Sequence, residues 1–173
     1  EAIIAMLATT SLGAIWSSAS PDFGVAGIYD RFGQIEPTVL VAVNGYGYGG
    51  KRFARVDQML TLKAKLPSLK AMVLIENLPE VAIPNEPGVI GWQQALAQGQ
   101  GERPSFLQGP FDQPVYILYS SGTTGVPKCI VHGGGGALLQ HSKELIIHGD
   151  IKPDDVFFYF TTCGWMMWNW LAS

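Results

Sequence analysis

The spacing of apolar and polar positions changes several times along the chain, and each change marks an element. Ala2 to Leu12 is built from helix formers and runs into Gly13, which predicts a helix closed by a glycine cap. Ala14 to Ser18 fits a short strand. Ser20-Pro21-Asp22 makes a turn holding an N-cap candidate, so a second helix is predicted from Val25 to Gln34, broken by Pro37. Val39 to Val43 is an unbroken apolar run, the pattern of a strand buried in a parallel sheet, and Asn44 to Gly50 reads as a glycine and tyrosine loop. Arg55 to Leu66 sets Val56, Met59, Leu60 and Leu66 near one stripe of an amphipathic helix, and Ala71 to Ile75 is the next strand.

From Glu76 to Pro114 no period holds. Six of the eleven prolines fall there, around one helical run at Trp92 to Gln98. The stretch reads as a surface excursion rather than a domain boundary, because strand pattern resumes at Val115 to Tyr119. A strand at Cys129 to His132, a helix at Ala137 to His148 and a strand at Val156 to Phe160 follow. Strands alternating with helices predict an α/β fold with a mostly parallel sheet flanked by helices. No internal repeat interrupts it, and the length suits one domain.

Composition sharpens the picture. Apolar residues make up 47% and charged residues 14%, against roughly 25% charged in an ordinary soluble domain. A chain this poor in charge buries an unusual share of itself or is covered by neighbours, and the expected neighbour is the rest of its own chain. It opens at Glu1 inside a helical pattern and stops at Ser173, inside an apolar run that holds Trp165, Trp168 and Trp170, so both ends read as cut. A formal net charge of −3 leaves no basic footprint for nucleic acid. No stretch reads as a transmembrane segment, and Glu1 to Trp16 lacks the basic flank of a signal peptide. Cys129 and Cys163 have no metal-ligand spacing and read as buried, reduced thiols of a cytoplasmic protein.

The chemistry concentrates at one place. Directly after the apolar strand ending at Tyr119 come Ser120, Ser121, Gly122, Thr123, Thr124, Gly125, Val126, Pro127 and Lys128. Ligands of open α/β sheets bind at the C-terminal ends of strands. Glycines let backbone N–H groups turn towards an anion, hydroxyls donate further, and lysine adds a point charge, which together describe a phosphate loop. It is not the Walker A pattern, since Pro127 precedes the lysine and Cys129 follows it. The competing reading is a polar surface turn between two strands.

YSSGTTGVPK resembles the phosphate-binding signature of the adenylate-forming superfamily of acyl-CoA synthetases, luciferases and nonribosomal adenylation domains. AMLATTSLGAIWSSASPDFG followed by RFGQIEPTVLVAV is similar to the upstream helix and strand of its acetyl-CoA and acetoacetyl-CoA synthetase branch. SSASPDFG, IVHGGGG and TTCGWMMWN together look most like the acetoacetate-activating members. The resemblance implies ATP-driven joining of acetoacetate to coenzyme A through an acyl-adenylate, with Mg²⁺ assisting. A short-chain ligase for acetate or propionate is the rival reading, and an inactive nucleotide-binding scaffold is another.

Carried over residue by residue, the family pattern gives Ser120, Ser121, Gly122, Thr123, Thr124, Gly125 and Lys128 to the β- and γ-phosphates of ATP, with Lys128 a binding charge. It makes Trp165 a wall of the acyl pocket, and Met166, Met167 and Trp168 core of the next helix. It brings Ser20, Asp22, Lys51 and Arg52 towards CoA. His132 is read as structural, His141 and His148 receive no role, and Gly134 stands where relatives often carry a polar residue. The resemblance makes residues 1–173 part of the N-terminal, AMP-binding domain. The adenylation lysine, the Mg²⁺ and ribose ligands and the small C-terminal domain are expected beyond Ser173, leaving no catalytic residue and no metal ligand within the chain.

Overall fold

The computed structural model describes residues 1–120 and 125–172. Its elements are α1 (Ala2–Ser11), α2 (Val25–Phe32), β1 (Val39–Val43), β2 (Gly45–Tyr48), β3 (Lys51–Ala54), α3 (Val56–Lys65), β4 (Ala71–Ile75), β5 (Val89–Gly91), α4 (Trp92–Gln98), β6 (Pro114–Ser120), β7 (Lys128–Gly133), α5 (Gly134–Ser142), a π-helical segment (Lys143–His148) and α6 (Met166–Ala172). Two compact units result: Pro21–Arg103 with Glu1–Ala2, and Ile3–Ser20 with the chain from Pro104 onward. The break between the units falls inside the proline-rich excursion. Strand pattern that resumes after a loop need not rejoin the same sheet, and β6 does not.

In the first unit β1, β4 and β5 form a parallel sheet in the order β1-β4-β5. Val39–Val43 runs in register with Ala71–Ile75, and Met72–Leu74 with Val89–Gly91. Central β4 buries Met72 and Leu74 completely, whereas β1, on the edge, buries only Leu40. The apolar run at 39–43 is therefore less enclosed than its composition predicts. β5 escaped the sequence reading because three residues are too few to show a period. Helices α2 and α3 pack together and bury Ile28, Phe32, Met59 and Leu62, each worth about 1.5–3 kcal/mol when fully enclosed. The cap predicted in Ser20–Asp22 is not used: α2 starts at Gly24 without a side-chain cap.

The loop predicted over Asn44 to Gly50 is half of an antiparallel hairpin, with Tyr46 opposite Phe53 and Tyr48 opposite Lys51. Its two-residue turn places Gly49 and Gly50 at φ +57° and +73°, the left-handed pair that a tight hairpin turn demands. Gly-Tyr alternation before a Gly-Gly pair was the available signal.

Asn44 ties this unit together. Its side chain is fully buried. Nδ2 donates to the carbonyls of Leu78 (2.8 Å) and Val81 (2.6 Å), and Oδ1 accepts from the Leu78 N–H (2.9 Å). Its backbone N–H reaches the Ile75 carbonyl (2.9 Å), and its own carbonyl accepts from Arg55 N–H (2.7 Å).

In the second unit β6 and β7 form an antiparallel hairpin with Ser120 opposite Lys128. The connection between them is too short for a parallel crossover, which takes roughly a dozen residues or more. The strand predicted at Ala14–Ser18 contracts to one parallel bridge: Trp16 N–H donates to the Val115 carbonyl and Ile117 N–H to the Trp16 carbonyl, both at 2.9 Å. Met6, Tyr116 and Leu118 form the core, with Trp16, Val115, Ala137, Trp168 and Ala172 packed against them. The helix predicted at Ala137–His148 begins earlier, at Gly134, whose N–H donates to the Gln113 carbonyl (2.8 Å), and finishes as π-helix.

Val156 to Phe160 corrects another expectation, since no described strand pairs with it. Its alternation is real nonetheless. Phe157 and Tyr159 meet the Trp170 ring edge-on at 5.7 and 5.9 Å, while Val156, Phe158 and Phe160 point outward, Val156 being 99% exposed. Period-two patterning permits pairing, but only a neighbouring strand completes it.

Replacing Asn44 with Ala is expected to cost the first unit about 2–4 kcal/mol, because it strands two buried carbonyls and one N–H. Trp92 is the only tryptophan of that unit, so urea unfolding followed by its fluorescence, with the other four tryptophans changed to Phe, reads the loss directly. An unchanged midpoint would remove Asn44 from this role.

Candidate functional site

The second unit brings together three stretches that are far apart in sequence. Ser17 Oγ donates to the Ile117 carbonyl (2.8 Å) and lies 3.0 Å from the Tyr119 hydroxyl. Ser18 Oγ donates to the Cys163 carbonyl (2.6 Å), and Cys163 Sγ contacts the Ala19 carbonyl at 3.4 Å. One strip, Trp16 to Ala19, is thus stitched to β6 on one side and to the TTCGW stretch on the other. Neither cysteine forms a disulfide, and both are half-buried rather than buried.

Of the predicted phosphate loop, Ser120 closes β6 and Lys128 opens β7 directly across the ladder. Gly125 adopts φ +118°, where a side chain is strained even though nothing crowds the position. Ser121, Gly122, Thr123 and Thr124 lie outside the described residues.

The residues expected near CoA divide between the units. Ser20 is buried in the second, while Asp22, Lys51 and Arg52 belong to the first. Arg52 donates to Glu80 at 2.7 Å, and this bond holds the Glu80 carboxyl below its ordinary range. Sequence reasoning missed Arg55. Its guanidinium lies 5.0 Å from the Tyr46 ring centre and 5.8 Å from that of Phe53, and it donates to the Tyr46 hydroxyl (2.7 Å) and the Pro21 carbonyl (3.3 Å). The Tyr46–Phe53 stack that carries it was legible only once the hairpin was recognised.

A cavity of about 530 Å³ opens in the second unit among β6, β7, α5 and α6. Leu118, Val131, Met166, Met167 and Trp170 supply its apolar walls; His132, Gln140, His141, Glu144 and Asn169 supply polar ones. Met166 and Met167, expected in the core, line this space instead. Trp165 does not line it and is 65% exposed. Glu144 pairs with Lys143 (3.1 Å) and accepts from Gln140 (3.0 Å); the lysine, chiefly through its hydrogen bond, pulls the carboxyl below its usual range. Burial, and secondarily the nearby His132, pushes the His141 imidazole below its ordinary pKa. Among the described residues no cluster of three or more His, Cys, Asp or Glu side chains is arranged to hold a metal, and no helix is long and apolar enough to cross a membrane.

Comparison with known proteins agrees with this arrangement. Residues 1–172 match the AMP-binding enzyme family. The chain is 46% identical over its whole length to acetoacetyl-CoA synthetase of Gallus gallus and 49% identical to acetoacetyl-coenzyme A synthetase of Rhizobium meliloti, spanning 27% of each. It is 45% identical to malonamoyl-CoA synthetase of Penicillium aethiopicum, spanning 25% of it. The solved acetoacetyl-CoA synthetase of Streptomyces lividans superposes with a TM-score of 0.92 at 45% identity, covering 99% of this chain and 26% of that one. The chain spans about a quarter of the length of these relatives, and it belongs to the AMP-binding, adenylate-forming enzyme family.

Proposed function

We propose that the protein carrying this chain is an AMP-forming ligase that joins a short 3-carbonyl acid, acetoacetate first, to coenzyme A. A carboxylate oxygen attacks the α-phosphorus of ATP, and the bond to pyrophosphate breaks. The CoA thiol then attacks the acyl carbon of the adenylate and AMP leaves. Charge builds on the phosphates during the first step and is met by preplaced donors. Ser120, Ser121, Gly122, Thr123, Thr124, Gly125 and Lys128 fill that role, Lys128 as a fixed binding charge. Mg²⁺, when bound, would neutralise phosphate charge.

The observation that carries this reading is the stitched strip. It joins the strand that leads into the hydroxyl-rich loop to the Cys163-Gly164-Trp165 stretch, so the nucleotide and acyl ends of one site share a scaffold. Trp165 is the candidate acyl wall, and Ser20, Asp22, Lys51 and Arg52 are the candidates for CoA, with Arg52 shared with Glu80. Acetoacetate and malonamate, the acids implied by the names of the relatives, share one skeleton: a carboxylate, one methylene and a second carbonyl. That skeleton defines the substrate class more narrowly than chain length does. This reading takes the enzyme to work in the cytoplasm, with small molecules and the rest of its own chain as partners and no role for nucleic acid or a transmembrane segment. The residues assigned to adenylation and to Mg²⁺ are sought outside this chain.

In the full-length protein, Lys128→Ala is expected to lower kcat/KM for ATP about 10–100-fold, the loss of one charge-assisted contact. Pyrophosphate release reports it; an unchanged rate would detach the loop from the phosphates. Acetate turned over as fast as acetoacetate would return the short-chain rival. The chain by itself is expected to bind ATP·Mg weakly and to form no acetoacetyl-CoA, and a sub-micromolar affinity in isothermal titration would contradict this.

A further inference from the structure

The β2–β3 hairpin has two faces, and the arginine at its base packs on only one of them. We propose that Arg55 is a positioning residue for CoA: it clamps the hairpin to the turn at 21–23 and so sets the direction of Lys51, the cation that meets a CoA phosphate. The inference rests on the preceding reading, which gives Asp22, Lys51 and Arg52 to CoA, and it separates their roles.

Side chains along a strand alternate between faces, and residues opposite one another in a ladder share a face. Tyr46 lies opposite Phe53 and Tyr48 opposite Lys51, so these four stand on one face. Arg52, between Lys51 and Phe53, leaves by the other, where it pairs with Glu80 (2.7 Å). Tyr46 and Phe53 stack with ring centres 5.3 Å apart, and the Arg55 guanidinium lies over both rings. Of the two basic candidates, Lys51 is therefore the one on the Arg55 face, one alternate position beyond the stack.

The hairpin needs such a grip. β2 and β3 form a sheet of their own, and an isolated two-stranded hairpin is marginal in water, so the direction of its tip is set by what holds its base. Arg55 is half-buried there. Its Nη2 donates to the Tyr46 hydroxyl (2.7 Å) and its Nε to the Pro21 carbonyl (3.3 Å). Its backbone is fixed as well: the N–H donates to the Asn44 carbonyl (2.7 Å), and the carbonyl accepts from Met59 N–H (2.9 Å) in α3. A second arginine holds the far end of the same turn, since Arg31 lies over the Phe23 ring at 4.6 Å and donates to the Gly27 carbonyl (2.7 Å). Asp22 thus sits between two anchored residues, on a turn tied to the hairpin through Arg55. A guanidinium suits this task because its planar fork donates in fixed directions while its face stacks on rings. An ammonium on a flexible stem meets a phosphate as a point charge, so its placement depends on the strand that carries it.

Two half-reactions of the full-length protein separate this role from a structural one. Acetoacetate-dependent exchange of labelled pyrophosphate into ATP needs no CoA, whereas acetoacetyl-CoA formation does. Arg55→Met is expected to raise KM for CoA about tenfold while exchange stays within about twofold of wild type. Lys51→Ala is expected to raise KM for CoA by a similar factor, about tenfold. The double variant is expected to lose little more than the worse single variant, because the arginine acts through the lysine. Additive losses would mean that Arg55 meets CoA itself. Exchange lost in step with CoA formation would mean damage to the fold, and a larger effect from Arg52→Ala than from Lys51→Ala would put the contact on the opposite face. Each of these overturns the proposal, as does an Arg55→Met protein with unchanged KM for CoA, and each leaves the ligase reading standing. Should Arg55→Met fail to fold, Tyr46→Phe removes only the hydroxyl that Nη2 donates to; it is expected to raise KM for CoA about threefold, and an unchanged value refutes the clamp. If Lys51→Ala and Arg52→Ala both leave KM for CoA unchanged, the CoA assignment fails and this inference with it, whereas a wild-type protein without exchange sinks the ligase reading itself.

Discussion

Two neighbouring hydroxyls, Ser17 and Ser18, fix how three distant stretches of the second unit meet. Alternation along an extended strip sends adjacent side chains to opposite sides, so one serine reaches the middle of β6 and the next reaches Cys163. That pair adds directional ties to the apolar contacts of the Met6–Tyr116–Leu118 core. Apolar packing is non-directional and sets proximity, whereas hydrogen bonds to particular carbonyls set register.

The first unit solves the same problem with one buried amide. Asn44 follows the last residue of β1 and satisfies three groups of the turn between β4 and β5, while its backbone joins β4 to the start of α3. Both units thus use polar side chains to engage backbone groups that segments far apart in sequence leave open to them.

Much of this was legible in the sequence. The strands at 39–43 and 71–75 and the helix at 92–98 fall where their patterns put them, and the hydroxyl-rich loop sits between paired strands. The family followed from motifs distributed across the whole length. What sequence hid was pairing. Nothing local announces that β5 joins β4, that β6 begins a separate sheet, or that Val156–Phe160 lacks a partner among the described strands. Site residues were hidden for a related reason. Arg55 acquires chemical meaning only from side chains that other elements bring alongside, so an arginine between an alanine and a valine carries no signal of its own.

The outward edge at Val156, Phe158 and Phe160 has a consequence for handling the chain. Its free side presents valine and phenylalanine to water. Such an edge is a template for any other extended segment, including the same segment of a second molecule. The segment thus adds a sticky stretch to an apolar surface that also includes Leu138, Leu139, Ile146 and Ile147.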